Sequence, residues 1–401
     1  MSFAVGSPII WPRPADWASS VRETLSWYTE VLQASSSGAT VHRSLRLSPR
    51  RSFSFDVIAD EQERRVLDAL MRARGSHRWL LPIWPDAQLL RDGVAAAATA
   101  IACETEHFDF VVGGRAVLWR SIDEWEVVSI AAIGTGALAL NSPLARAWER
   151  GSRLLPLRWA RMDASSSIKT LTDMHDRMQI SFILDETCDW PAYAGASEYR
   201  GHPVLTLRPD FAESQDVAYS RMQHTTDNFT ALPFTSDHPG VAFRTVRTVW
   251  ERWGRAEQAQ FRSLLYALLG RAMPLWIPTW QQDLRITQPV GAAATIIIVT
   301  WCGYTLYSKQ MQNRQDVAIT LTDGAVLYRR ITNAIEVAGA EHLTLDSALG
   351  RAVSPLQVRS ISFIGLYTMA SDTVEIEHIT AGDGGRARIP LAWQEVVSDA
   401  A

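Results

Sequence analysis

Three cysteines in 401 residues are too few for a disulfide framework, and Cys103, Cys188 and Cys302 lack the paired spacing of a zinc site. Positive charge is not in excess either. With 39 basic and 43 acidic residues the net charge is −4, which excludes the broad positive field that nonspecific nucleic-acid binding needs. The longest apolar runs, around Val94 to Cys103 and Gly291 to Trp301, are too short to cross a bilayer. Trp11-Pro12-Arg13-Pro14 interrupts any apolar stretch of signal-peptide type. The expectation is a soluble protein made in a reducing cytoplasm, with no nucleic-acid partner and no membrane insertion. The basic cluster of Arg43, Arg46, Arg50 and Arg51 reads more simply as a charged strand edge or subunit contact than as a nucleic-acid patch.

Reactive constellations are missing as well. The chain has no Gly-x-Ser-x-Gly elbow, no P-loop and no His-Glu-x-x-His pair. Gly134-Thr135-Gly136 reads as a turn between strands, Asp173-Met174-His175-Asp176 as a turn before a strand, and Gly382-Asp383-Gly384-Gly385 as a hairpin turn. Glu104, Glu106 and Asp109 alternate as if on a strand. A solvated face accounts for them better than the carboxylate pair of a glycosidase, whose groups stand roughly 5–9.5 Å apart. The reading is therefore of a protein that is not an enzyme, with no catalytic residue, metal or cofactor.

What the chain does contain is a copy of itself. Residues 61–99 align with residues 257–295 without a gap: Glu61-Gln62 with Glu257-Gln258, Pro82-x-Trp84 with Pro278-x-Trp280, Ala96 to Thr99 with Ala292 to Thr295. Further on, Ala116 to Arg120 matches Ala325 to Arg329, and Leu138-x-Leu140-x-Ser142 matches Leu343-x-Leu345-x-Ser347. The period is too long for a solenoid and suits a duplicated domain. Two tandem units are expected, over residues 1–190 and 191–401, with the joint near Asp185 to Tyr199. Hydrophobic residues at 47% against 20% charged give each unit enough to bury a core.

The periodicities predict an α+β, β-rich fold: in each unit an antiparallel sheet, small barrel or sandwich with one packed helix. A helix is expected over Val21 to Leu32, from Val21, Leu25, Tyr28 and Leu32, ended by Ser35 to Gly38. Strands are expected at Ser44 to Leu47 and Ser52 to Val57. The repeated helix starts at Asp60, with Glu63 three residues on, and buries Val66, Leu67, Leu70 and Met71. Its second copy buries Phe261, Leu264, Leu265, Leu268 and Leu269, and the helices end at Gly75 and Gly270. The Trp-Pro segments that follow are expected at an edge or in a loop, because proline cannot serve a central ladder. Hairpins are expected at Phe108 to Arg120, turning at Gly113-Gly114, and at Val317 to Arg329, turning at Asp323-Gly324. Other strands are placed at Trp125 to Ile133, Ala137 to Leu140, Leu154 to Trp159 and Gln179 to Leu184. Their equivalents are Ala334 to Val337, His342 to Leu345, Val358 to Ile364 and Thr373 to Ile379. Cys103 and Cys302 are expected to be buried on strands.

Sixteen tryptophans exceed ordinary usage by a wide margin. Tryptophan is enriched at the centres of protein interfaces, so Trp79, Trp84, Trp276, Pro278 and Trp280 are the candidate interface residues. The same rings would suit sugar stacking, which makes a carbohydrate- or receptor-binding module the alternative function.

Several phrases together resemble tail-tip or baseplate proteins of long-tailed bacteriophages and prophages, of the distal tail protein type. They are the opening Trp-Pro stretch, Val21 to Leu32, Leu45 to Phe53, Tyr199 to Pro209, Ala272 to Leu284 with its Leu275-Trp-Ile-Pro-Thr-Trp280 core, and Ser371 to His378 followed by Trp393 to Val397. The first unit departs from the pattern, with Arg78 to Trp84 lacking the Gln-x-Asp that follows Trp280. The resemblance implies a structural component of the virion. It would form a homo-oligomeric ring, trimeric or hexameric, at the distal end of the tail tube, and connect the tube to hub and to receptor-binding or fibre proteins.

Overall fold

The computed structural model describes residues 9–34, 37–74, 77–163, 167–193, 197–211, 213–237, 239–309 and 311–396. The first half begins with β1 (Ile9–Ile10), β2 (Val21–Ser26) and the hairpin β3 (Thr29–Gln33) and β4 (Thr40–Ser44). Then follow β5 (Arg50–Asp60), α1 (Glu61–Arg74), β6 (Arg78–Pro82), β7 (Gln88–Leu89), β8 (Ala100–Ala102) and β9 (Arg115–Ser121). The half closes with β10 (Glu124–Gly134), β11 (Ala137–Leu140), β12 (Arg153–Met162), β13 (Ser167–Thr170) and β14 (His175–Leu184).

The second half opens with the short β15 (Glu198–Tyr199) and β16 (His202–Pro203), then β17 (Asp216–Ser220) and the hairpin β18 (Gln223–Thr226) and β19 (Phe234–Asp237). β20 (Phe243–Trp253), α2 (Gly254–Leu268), β21 (Leu275–Pro278), β22 (Ile296–Thr300) and the single turn α3 (Tyr304–Tyr307) come next. The remainder is β23 (Asp316–Leu321), β24 (Val326–Val337), β25 (Ala340–Leu345), β26 (Val358–Met369), β27 (Thr373–His378) and β28 (Arg386–Glu395). The fold is β-rich, built from antiparallel strands with one packed helix of three or more turns in each half.

Local sequence explains the main elements. On β5, Phe53, Phe55, Val57 and Ala59 alternate inward, the period-two pattern of a sheet with one covered face. On α2, Phe261, Leu264, Leu265 and Leu268 fall on one stripe and are all buried, each contributing about 1.5–3 kcal/mol relative to exposure. That helix stops where Leu269 and Gly270 take φ of +51° and +71°. Glycine is needed there: a Cβ on Gly270 would collide with Trp27 and with the Asp372 carboxylate.

The strands pair by one scheme used twice. In the first half β5 lies between β2 and β14, β14 also carries β13 and β12, and β12 carries β6 and β9. In the second half β20 lies between β17 and β28, β28 carries β27 and β26, and β26 carries β21 and β23. Satellite sheets repeat too: β9–β10–β11–β8 in one half, β23–β24–β25–β22 in the other, each over its own core. Even the parallel pairing of Ile9 with Trp79 has its counterpart in the Val204–Trp276 bridge.

The halves are joined through β2. One edge of β2 pairs with β5 and the other with β27, so β13, β14, β5, β2, β27, β28, β20 and β17 form one continuous antiparallel sheet. Val21 on β2 belongs to the first core, Leu25 and Trp27 to the second, and Glu23 lies buried between them.

Several expectations are corrected. Val21 to Leu32 is two strands, β2 and β3, joined at Trp27-Tyr28 and paired to different partners, because Val21, Glu23 and Leu25 alternate inward and a spacing of four satisfies either period. Ser44 to Leu47 is not a strand; β4 ends at Ser44, and Leu45 and Leu47 are exposed. Phe108 to Arg120 is not a hairpin. Phe108 and Phe110 are buried outside any strand, and β9 pairs instead with β10 across Ile122-Asp123. Glu104, Glu106 and Asp109 share no strand, and Asp109 is buried among cations. The Trp-Pro segment of the first half is no edge: β6 has β1 on one side and β12 on the other, with Pro82 past the two residues that β1 pairs. Cys302 is exposed just beyond β22 and Cys103 is half-buried beyond β8. The hairpin at Asp323-Gly324 and the strands from Trp125 onward stand as expected. Gly75 lies outside the described residues.

Candidate interaction surface

The tryptophans build cores before they build any surface. Trp79 is buried edge-on to Trp11 at 5.7 Å, and Trp84 lies buried against Trp119 at 5.9 Å. Trp276 is buried and donates its indole N–H to the Tyr199 carbonyl at 2.8 Å. Pro278 is half-buried at the end of β21, and Trp280 half-buried against the second core. Nine of the sixteen tryptophans are buried, and only Trp253 and Trp301 are exposed. The Trp79, Trp84 and Trp276 rings are therefore closed to a partner or a sugar by this chain's own packing.

Where the halves meet, β2 and β27 place ionic groups inside the molecule. Glu23 accepts hydrogen bonds from Arg51 Nε at 2.5 Å and Arg262 at 2.6 Å, with His378 Nε2 at 2.8 Å. Arg51 also bonds Asp109, which bonds Arg158, which reaches Glu186 at 2.9 Å. From the second half Arg255 reaches Asp86 at 2.7 Å, and Asp86 accepts the Asp109 N–H at 2.7 Å. Burial pushes the Glu23 carboxyl up, but Arg262 and Arg51, helped by His378, outweigh it and hold it well below the carboxylate range. Asp109 is lowered to about 2: burial opposes ionisation, and Arg51 and Arg158 override it. His378 is lowered chiefly by burial, so it is neutral at neutral pH and donates from Nε2 to Glu23. Glu23, Arg51, Asp109 and Arg158 form one chain of ion pairs, extended by Arg262, His378 and Glu186, which makes them a structural joint.

The outer strands of the sheet are different. β13 pairs only with β14 and β17 only with β20 among the described residues, and every residue of both is exposed. Ile168 on β13 is 45% exposed, and Val217 and Tyr219 on β17 are 40% and 65% exposed. An open edge with apolar side chains is a template for another strand. Beside β17 the hairpin β18–β19 projects Phe229, Leu232 and Phe234, the first two more than 90% exposed. Its counterpart β3–β4 lies across the second half, with Gly38 so close to the Phe243 ring that a Cβ would strike it.

Other chemistry is subdued. Burial pushes the Cys103 thiol up to about 12, and partial desolvation with the Glu341 carboxylate 3.1 Å away pushes the Cys302 thiol up to about 11, so both stay protonated at neutral pH. A cleft of about 560 Å³ beside Trp84 and Phe108 is crossed by the Arg91–Glu104 pair at 2.6 Å. Among the described residues no group of three or more His, Cys, Asp or Glu side chains is placed to hold a metal, and no helix is long and apolar enough to cross a membrane.

Sequence reasoning missed both edges and the apolar hairpin. The signal was present in the repeat: once β2 is read as a strand, its copy and the strand facing it are fixed by pairing. A scan against known protein families gives no match to this chain, and neither does a search of curated proteins.

Proposed function

We propose that the chain is a structural subunit of a bacteriophage tail tip or baseplate, forming a ring at the distal end of the tail tube and linking it to hub and receptor-binding or fibre proteins. The observation that carries this reading is the head-to-tail joint at β2·β27, where two like sheets continue into one. A heterologous joint of that kind, repeated, produces a closed ring or a filament. Ring symmetry is the property that the resemblance of the sequence motifs to distal tail proteins calls for. The exposed apolar hairpin β18–β19 offers a further contact to a neighbouring subunit.

The test is to purify tails from a strain that makes this protein and to locate it by immunogold labelling and mass spectrometry. Label at the distal tip, at a copy number fixed per tail, is expected. Tails free of the protein, with all of it in the unassembled fraction, would overturn the reading.

A further inference from the structure

The joint inside the chain is a template for a joint between chains. Along the sheet the first half runs β13, β14, β5, β2 and the second β27, β28, β20, β17, in the same sense. The strand that corresponds to β2 is β17, and the strand that corresponds to β27 is β13. Within the chain β2 meets β27. The two strands left open are therefore the matching ends of the same joint.

Register follows from the ladders. Arg22 faces Ser54 on β5, Asp216 faces Arg247 on β20, and Ser54 and Arg247 stand equally far from the strand ends Asp60 and Trp253. Asp216 thus takes the place of Arg22. On the other side Glu377 faces Arg388, and Lys169 faces Arg177. Arg388 and Arg177 in turn face Glu251 and Ile58, which are equivalent on β20 and β5, so Lys169 takes the place of Glu377. Because Arg22 pairs with Glu377 and Glu23 with Ile376, the new joint sets Asp216 opposite Lys169 and Val217 opposite Ile168.

We propose that β17 of one copy pairs antiparallel with β13 of a second copy in this register, and that the β18–β19 hairpin lies across the first half of that second copy. The charges are opposite where they meet, and the neighbouring pair is apolar. Burial supports the same occupant: Leu25 and Ile376, fully buried and 4% exposed at the internal joint, correspond to Tyr219 and Ile168, which stand open. Phe229, Leu232 and Phe234 occupy the place of the hairpin that internally covers Phe243. This rests on reading the chain as an assembly subunit, and it names the partner and surface of that assembly.

The test is a Val217→Cys, Ile168→Cys double variant of the full chain with Cys302→Ser, oxidised under mild conditions. Opposed residues of an antiparallel pair stand about 4.5–5.5 Å apart at Cα, within disulfide reach. Disulfide-linked multimers joined through positions 217 and 168 are expected by peptide mapping, with no such link in either single variant. Phe229→Ser with Leu232→Ser is expected to raise the concentration for half-assembly about tenfold or more, while far-UV circular dichroism stays unchanged. Multimers by mass photometry without the 217–168 link would overturn the edge pairing and leave the subunit reading standing. A chain that remains monomeric up to about 0.1 mM would also overturn it, and tail labelling then decides the function separately.

Discussion

Nε2 of His378 on β27 stands 2.8 Å from Oε2 of Glu23 on β2, both side chains buried where the two halves share a ladder. Two arginines from different halves, Arg51 and Arg262, converge on the same carboxylate. Replacing a buried ion cluster wholesale can be neutral, but removing one partner strands the others. Glu23→Ala is therefore expected to destabilise the protein by about 3–5 kcal/mol. Denaturant unfolding monitored by tryptophan fluorescence reads this directly, and a loss below about 1 kcal/mol would show the cluster to be dispensable.

Acid should weaken the same joint in two stages. The folded-state value of His378 lies below its ordinary 6.5, so the unfolded chain takes up that proton first and stability falls as pH drops through 6.5. Glu23 and Asp109 are also depressed, Asp109 to about 2. Their contribution is complete above about pH 4.3 and is lost as pH falls further. Thermal midpoints measured across this range should decline in both windows, and His378→Gln should flatten the upper one alone.

Trp79→Ala opens a cavity between Trp11 and Phe182 and is expected to cost about 3–5 kcal/mol. Trp253→Ala loses only the stacking of Arg386, 5.0 Å from an exposed ring, and should cost less than about 1 kcal/mol. Equal effects from the two would contradict the packing described.

Gly38→Ala places a methyl against the Phe243 ring at a position with φ of +75°. The β3–β4 hairpin should lift from the second half, at a cost of about 1 kcal/mol or more. Hydrogen exchange at Leu32 and Val41, a hydrogen-bonded pair of that hairpin, should accelerate, with exchange on β23 unchanged.

The parts legible in the sequence were those where a single period decides. The stripe of Phe261, Leu264, Leu265 and Leu268 admits only a helix, and Asp323-Gly324 between alternating strands admits only a hairpin. Val21 and Leu25 satisfy both periods, and only the pairing with β5 and β27 chooses between them. Asp109 was read as solvated because nothing local reveals that Arg51 and Arg158 converge on it from distant strands. For the same reason the tryptophans suggested a surface. Their number was visible in the composition, but the two cores that absorb Trp11 and Trp79 on one side and Trp250 on the other exist only once the strands have paired.

The position of β2 also orders events on the ribosome. β2 emerges long before its partner: the Thr29 amide beside it bonds a carboxylate 343 residues further along, next to β27. Until then one edge of β2 has no partner, and the nascent first half carries an open ladder beside a Glu23 that still lacks Arg262 and His378. Closure must wait until β27 has been made, a long-range step that slows folding. The chain that completes it gains both its second core and the match of its two halves in one event.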